Sequence, residues 1–441
     1  MIGRIVIVND LSHAMGGASA LAIQAAKGLA RRGYPVTFIC GSAGNSDLET
    51  EGIEVLALGQ ERLLAANPVT TFVRGIYNRQ AAAMVSQWIA DNDTPHTVYH
   101  VHGWSQILSP SLFGALAPVH DRTLVHAHDF FATCPNGAMF DYGKSAPCPA
   151  KPMSVACMTT GCDRRGPASK VWRVARQAVQ DRTLRHKRLP LLLIHGNMAP
   201  YFQRSGYRPE EMAVLPNPVV PFTTERVAAE YNHEVLFVGR MEATKGIDLA
   251  ARACRHAGVR LMAIGTGDLL GTLCEAYPEM AWLGHKPSGE IPAFARRARM
   301  AVMPSRHIEP FGLAAVEALW SGIPVLSSRS SLIAPDIEAA GAGRSIDPRN
   351  TEEFAAAIAA IAHDDAGARR MSHNAATRTG GLALTPEKWI DALAAAYEGL
   401  LLGGNEGLAD AALSWAAGSP GNGAEAAMPA ARAATSPSLA H

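Results

Sequence analysis

The chain has 441 residues, 48% hydrophobic and 18% charged, with a formal net charge of +1 at pH 7. That length exceeds one typical core, so two domains are expected, and the near-zero balance leaves any binding electrostatics to local patches. No apolar run reaches about 18 residues, which excludes a membrane-spanning helix by sequence. The seven cysteines, with no secretory signal, argue for thiols or metal ligation over a disulfide framework.

Residues 4–40 read as strand, glycine-containing loop, helix and strand: Arg4 to Val8, then Gly16-Gly17, Ala18 to Arg32, and Val36 to Cys40. Arg4 to Val8 is too short for a signal peptide, so a cytoplasmic setting is expected. The glycine loop falls at a strand's carboxyl end, where doubly wound sheets bind ligands. Apolar runs at Thr97 to Val101, Thr123 to Ala127 and Leu189 to Ile194 continue a parallel sheet. Alternation puts His126 and His128 on one face of their strand, with His128 at its carboxyl end. A structural histidine and a ligand-facing one both fit that position.

An irregular stretch comes next. Cys134, Cys148, Cys157 and Cys162 lie among prolines in an insertion over 134–162. Four thiolates could hold a structural zinc there, and free buried thiols fit as well, since no C-x-x-C pair is present. Between Arg164 and Arg188 stand nine Lys or Arg against Asp181 alone, interleaved with Val171, Trp172, Val174 and Val179. A basic amphipathic helix over 164–188 suits an anionic lipid surface or a lipid-diphosphate acceptor, or else a solvated helix face.

Pro216, Pro218 and Pro221 punctuate the chain, and a first domain of 1–215 is expected before them. A second strand–helix alternation runs through Glu234 to Val238, Arg260 to Ile264, Met280 to Leu283, Arg299 to Met303 and Pro324 to Ser327, giving a second Rossmann-like domain over 216–384. Helices are expected near 351–363 and 366–378, a closing helix over 385–402, and a disordered Ala/Gly/Pro/Ser tail over 403–441.

The chemistry gathers in this second half. Arg240 and Lys245 follow its first strand and suit a diphosphate leaving group. Gly265-Thr266-Gly267 lets backbone approach a nucleotide. Pro310 and Gly312 break structure ahead of the helix formers Leu313 to Trp320, so a helix start near Gly312 offers free amides to a phosphate or sugar oxygen. Glu309, just ahead of it, suits sugar hydroxyls, and Glu317, inside it, suits both ribose hydroxyls. A helix-entry anion and a solvated face residue fit the same letters. Asp91-Asn92-Asp93 ends a helix in a polar turn, so no Asp-x-Asp metal site is expected.

Glu309 to Val325, read E-P-F-G-L-x-x-x-E-A-x-x-x-G-x-P-V, resembles the signature of glycosyltransferase family 4, retaining enzymes of the GT-B fold. Val238-Gly239-Arg240, Lys245-Gly246, Gly265-Thr266-Gly267 and Pro304-Ser305 extend the match upstream. The resemblance implies an α/β architecture of two Rossmann-like domains facing across a cleft. It implies metal-independent hexosyl transfer from a nucleoside diphosphate sugar to a glycan or lipid-linked acceptor, in polysaccharide or lipopolysaccharide biosynthesis. It gives His128 and Glu309 catalytic roles beside the sugar, and gives donor contacts to Gly16, Gly17, Arg240, Lys245, Gly265, Phe311, Gly312, Leu313 and Glu317. No catalytic cofactor and no nucleic acid are expected, and the setting is cytoplasmic or peripheral at the membrane's inner face. Arg329-Ser330-Ser331 departs from the family's usual Gly-Gly. That departure keeps open a non-catalytic nucleotide-sugar-binding partner; a nucleotide-sugar epimerase, which shares the two-domain cleft, is the other alternative, and the signature argues against it.

Overall fold

The computed structural model describes residues 1–63, 68–184 and 188–417. Strands β1 (Arg4–Asn9), β2 (Val36–Cys40), β3 (Glu54–Ala57), β4 (Thr97–Val101), β5 (Thr123–Ala127), β6 (Leu191–Leu193) and β7 (Met212–Val214) form one sheet in the order β3-β2-β1-β4-β5-β6-β7. Strands β8 (Glu234–Val238), β9 (Leu261–Ile264), β10 (Ala281–Gly284), β11 (Ala298–Met303), β12 (Val325–Ser328) and β13 (Gly343–Ile346) form the other, in the order β10-β9-β8-β11-β12-β13. Neighbouring strands in both sheets run parallel. β2, β4 and β5 are buried at every residue because helices cover both faces, which is why each reads as an unbroken apolar run.

Each sheet grows both ways from its first strand, so chain order reverses beside β1 and again beside β8. A crevice opens at such a reversal, outside the strands' carboxyl ends, and ligands of doubly wound folds bind there. Among the helices packed around the two sheets are α1 (Gly17–Arg31), α2 (Pro68–Ile76), α3 (Pro167–Leu184), α4 (Leu313–Trp320) and α5 (Pro386–Ala417). α1 and α4 both begin in such crevices, one on each sheet.

The chain crosses between sheets twice, side by side. The amide of Val219 donates to Leu384 O at 2.8 Å, and the amide of Leu384 donates to Asn217 O at 3.2 Å. α5 then returns to the first sheet. Trp389, Ile390, Leu393 and Tyr397 pack with Ile5, Ile7, Val98, Leu124 and Leu192, beside Leu21, Ala25 and Leu29 of α1. A Cβ on Gly28 would lie 2.5 Å from Ile390 Cδ1, so the two helices approach more closely than any larger residue permits. Arg32 fixes the rim, donating to Asp391 at 2.5 Å and to Glu387 O at 2.7 Å.

Two sequence readings need correction here. Residues 403–417 are helical, not the start of a disordered tail. At Gly404 (φ 58°, ψ −136°) the helix breaks and doubles back, and Leu408 and Ala412 are buried in the first sheet's core. Composition misled because small residues at Gly399 and Gly407 are what let the two segments touch. The remainder of the expected tail, 418–441, lies outside the described residues.

The basic segment does form a helix, α3, but not one with an apolar inner face. Its buried residues include Lys170, Arg176, Gln177 and Gln180, while Val171 is 69% exposed. Polar groups point inward because they have partners there: Gln180 accepts from Trp104 Nε1 at 2.8 Å, and Arg176 donates to Trp104 O at 3.2 Å. Arg185 and Lys187 lie outside the described residues.

Trp389 is fully buried where α5 meets the first sheet. Trp389→Ala is expected to destabilise the chain by about 3–5 kcal/mol, read by urea denaturation. A change under about 1 kcal/mol would mean that α5 contributes little to the fold.

Candidate functional site

The site is built on the loop from β11 to α4. Glu309 is 9% exposed. Its Oε2 accepts from Lys245 Nζ at 2.5 Å and from Ser305 Oγ at 3.0 Å, and His307 Nε2 lies 3.5 Å away. Burial pushes the Glu309 carboxyl up, but the Lys245 ammonium, His307 and both hydrogen bonds outweigh it, holding the group down at about 2. Glu309 is therefore a fixed anion at neutral pH. His307 is pushed below the ordinary imidazole range, first by burial.

α4 begins after a left-handed Gly312, φ 79°. A Cβ there would overlap Met303 Sδ, so both the conformation and the space require glycine. Phe311 is 2% exposed and anchors the turn in the core. Glu317, more than a turn into α4, is pushed up to about 7 by desolvation. Among the described residues its carboxylate has no hydrogen-bond partner. A half-buried acid without a partner is what a ligand's hydroxyl groups would complete.

Arg240, at the carboxyl end of β8, points outward, its side chain 65% exposed and bonded to Glu242 at 2.6 Å. Gly265, φ 138°, closes the loop after β9: a Cβ would overlap Gly239 O, so that loop lies directly on the one carrying Arg240. From the first domain, Gly17 faces Leu313, whose Cδ1 lies 3.6 Å from where a Gly17 Cβ would be. Gly16 has extended backbone and open space around it. The glycine loop and the start of α4 thus meet across the crevice.

His128 stands at the end of β5, bonded through Nε2 to His102 Nδ1 at 2.9 Å and stacked on His126 at 4.3 Å. Burial lowers it to about 3, so the ring is neutral. Next to it, burial raises Asp129 to about 6. Sequence reasoning missed Asp10, whose carboxylate accepts from the amides of Gln106, Ile107 and Leu108 at 2.6–2.9 Å and so shapes the loop after β4. It also missed the Ser305 and His307 contacts to Glu309, although both residues flank the quoted signature.

The expected four-cysteine zinc site does not fit the residues as they stand. Among the described residues no three of Cys134, Cys148, Cys157 and Cys162 bring their sulfurs within 4.8 Å of one another. Lys170 takes the central place instead, its Nζ 3.0 Å from Cys162 Sγ and 3.7 Å from Cys157 Sγ. An ammonium there opposes a dication.

Two parallel sheets with ligand crevices facing each other, a glycine loop on one side and the Lys245–Glu309 pair on the other, define a GT-B glycosyltransferase architecture. Residues 16–218 match the family model described as glycosyl transferase 4-like domain, and residues 224–378 match glycosyl transferases group 1. The chain belongs to glycosyltransferase family 4.

Among curated relatives, a stretch of 156 residues is 33% identical to a glycogen synthase of Mycobacterium tuberculosis, covering 33% of this chain and 37% of the relative. Another of 196 residues is 32% identical to the putative colanic acid biosynthesis glycosyltransferase WcaL of Salmonella typhimurium, covering 40% and 48%. The chain thus spans less than half the length of each. Solved structures share the fold: a sucrose-phosphate synthase from Thermosynechococcus elongatus (TM-score 0.66, 17% identity, 90% of this chain and 98% of that one) and Anabaena Alr3699/HepE in complex with UDP (0.62, 16%, 89% and 98%). WaaG, involved in lipopolysaccharide biosynthesis, is a third (0.60, 16%, 88% and 98%).

Because the fold favours ionised Glu309, the stability it adds is present above its unfolded value of 4.5 and is lost as pH falls toward about 2. Wild type should exceed Glu309→Gln by on the order of 2–3 kcal/mol at pH 6, with the gap closing between pH 4.5 and 2. Urea denaturation across that range reads it, and a gap independent of pH would mean that the ion pair with Lys245 adds no stability.

Proposed function

We propose that this chain is a retaining hexosyltransferase that moves a sugar from a nucleoside diphosphate sugar to a glycan or lipid-linked acceptor, in cell-surface polysaccharide or lipopolysaccharide assembly. The observation that carries the reading is Glu317: a carboxylate without a partner, pushed up by burial, inside the helix that starts opposite the glycine loop. Ribose hydroxyls would supply the hydrogen bonds it lacks. The diphosphate would lie on Arg240, Lys245 and the free amides after Gly312, with Gly265 admitting the nucleotide's close approach. UDP bound to the Anabaena relative of the same fold is in keeping with such a donor. The names of WcaL and WaaG are in keeping with the biosynthetic setting.

In this reading Glu309 is an acceptor-only anion that takes the donor sugar's hydroxyls. Lys245 is shared between it and the departing diphosphate. His128, neutral and held by His102, donates to or accepts from the sugar without adding charge. As the glycosidic bond breaks, negative charge moves onto the diphosphate, where the two cations and the helix start stabilise it without a metal. The leaving phosphate then accepts the acceptor hydroxyl's proton from the same face, so configuration is retained and no separate base is required.

The test is acceptor-dependent release of nucleoside diphosphate, after a thermal-shift screen of UDP-, GDP-, ADP- and TDP-sugars has named the donor. Glu309→Gln and Arg240→Ala should each lower turnover by roughly 10², the loss expected for one stabilising contact. Turnover without an acceptor would instead mark an epimerase, and donor binding without any turnover a non-catalytic partner.

We also propose a peripheral membrane contact on the first domain. α2 and α3 pack together, Trp172 Nε1 donating to Phe72 O at 3.0 Å. Between them they leave Phe72, Val73 and Val171 more than half exposed, with Arg74 alongside. Among the described residues no helix is long and apolar enough to cross a membrane. Binding to anionic vesicles should be weak, weaker in salt, and reduced about tenfold by the Phe72→Ser, Val73→Ser double variant. Equal binding of wild type and variant at low salt would rule the patch out.

A further inference from the structure

Beside the donor crevice, β4 and β5 carry a column of four imidazoles. Adjacent strands in register place His100 and His102 on one strand against His126 and His128 on the next, all on the face that α5 covers. His100, His102 and His126 are 0%, 4% and 1% exposed. Each offers a ring nitrogen, and these nitrogens lie within 4.8 Å of one another. Apolar side chains would fill such a core without penalty; three buried imidazoles must each satisfy two polar atoms.

They do not all do so. His102 Nε2 and His126 Nε2 have no hydrogen-bond partner. His126 Nδ1 and His100 Nε2 face each other at 3.2 Å, close to the separation of about 3.3 Å that two nitrogens take on a tetrahedral zinc with bonds of about 2.0–2.1 Å. The other nitrogen of His100 is bonded to Tyr397 O–H at 2.6 Å, the outer contact that fixes the tautomer of a ligating histidine. A cavity of about 20 Å³ beside them is lined by His102, Trp104, His126 and Asp129 among others. That is room for one water.

We propose that His100, His102 and His126 form a structural zinc site, with a water in the adjoining cavity as the fourth ligand. Three neutral ligands leave the dication's charge uncompensated. Asp129, half-buried on the cavity wall, supplies the counter-charge. The donor set also selects the metal: imidazole without carboxylate suits zinc and cobalt and disfavours magnesium or calcium.

Binding at His102 Nε2 places that ring's proton on Nδ1, which then donates to His128 Nε2 at 2.9 Å. The metal would thereby set the tautomer of His128, with its proton on Nδ1. The site itself does not depend on what reaction the crevice performs.

The test uses the full chain, incubated with ZnCl2 or CoCl2, desalted and analysed for metal. About one equivalent should remain, and Zn²⁺ should raise the melting temperature. His100→Gln and His126→Asn should each retain less than about a tenth of it, while the Cys157→Ser, Cys162→Ser double variant keeps the wild-type content. Co²⁺ in the wild-type chain should show visible d–d bands without thiolate charge transfer in the near ultraviolet. That spectrum decides the matter even where a variant fails to fold. Wild type retaining less than about a tenth of an equivalent overturns the proposal, and the imidazoles are then a stacked neutral network. Thiolate charge transfer from Co²⁺, or histidine variants that bind as wild type does, overturns it equally.

Discussion

The return of α5 to the first sheet is the constraint on which the rest depends. The chain leaves the first domain once, at 215–219, and without a second crossing the two sheets would be joined by a single proline-rich linker. The parallel crossing at Leu384 and the burial of Trp389, Ile390 and Tyr397 against Ile5, Val98 and Leu124 make the second domain's last helix part of the first domain's core. Opening the cleft then has to bend two adjacent strands of chain near Pro218 and Leu384 and cannot simply separate two bodies. Polar contacts also link the two domains: Asn197 Nδ2 donates to Leu332 O at 2.8 Å, and His195 lies 3.3 Å from Asp336.

Within the cleft, two glutamates on one stretch of chain have opposite surroundings. Both are desolvated, and desolvation alone raises a carboxyl group. Glu309 escapes because Lys245, Ser305 and His307 converge on one of its oxygens, whereas Glu317 has nothing to oppose the effect. The pair is a case of environment dividing the labour of identical side chains. The same convergence tethers the Lys245 ammonium on its loop.

The strands that carry the fold were legible because they are mostly apolar. Val36–Cys40, Thr97–Val101, Thr123–Ala127 and Glu234–Val238 have the bounds that the letters give. β3, β7 and β13 were not. Glu54–Ala57 and Gly343–Ile346 are outer strands with charged residues and partial exposure, and Met212–Val214 is short and runs straight into prolines, so none presents an apolar run to read. At the site, a helix break and a helix former fixed where α4 starts, and the signature supplied Glu309 and Glu317. What letters could not supply is convergence from distant sequence. Lys245 and Glu309 are 64 residues apart, and Asp10 reaches amides nearly a hundred residues on. The four thiols failed in the opposite direction: they are close in sequence, yet Lys170, on a helix read as a surface feature, comes between them.

The histidines show how strand register makes a site that neither strand suggests alone. His100-Val101-His102 and His126-Ala127-His128 each repeat at the strand period, but only the pairing of Val101 with Val125 sets them side by side. The column runs from Tyr397 on α5, through His100 and His126, to His102 and His128 at the crevice. Since α5 is the element that ties the second domain to the first, the His128 ring at the end of β5 is connected by hydrogen bonds and stacking to the helix that fixes the cleft. A shift of Tyr397 would leave His100 Nδ1 unpartnered in a dry core, a penalty of about 1–3 kcal/mol for a buried polar group. Strain of that size resists rotation of the ring stack, so the orientation of His128 is set from the core packed under α5 and not by the crevice it faces.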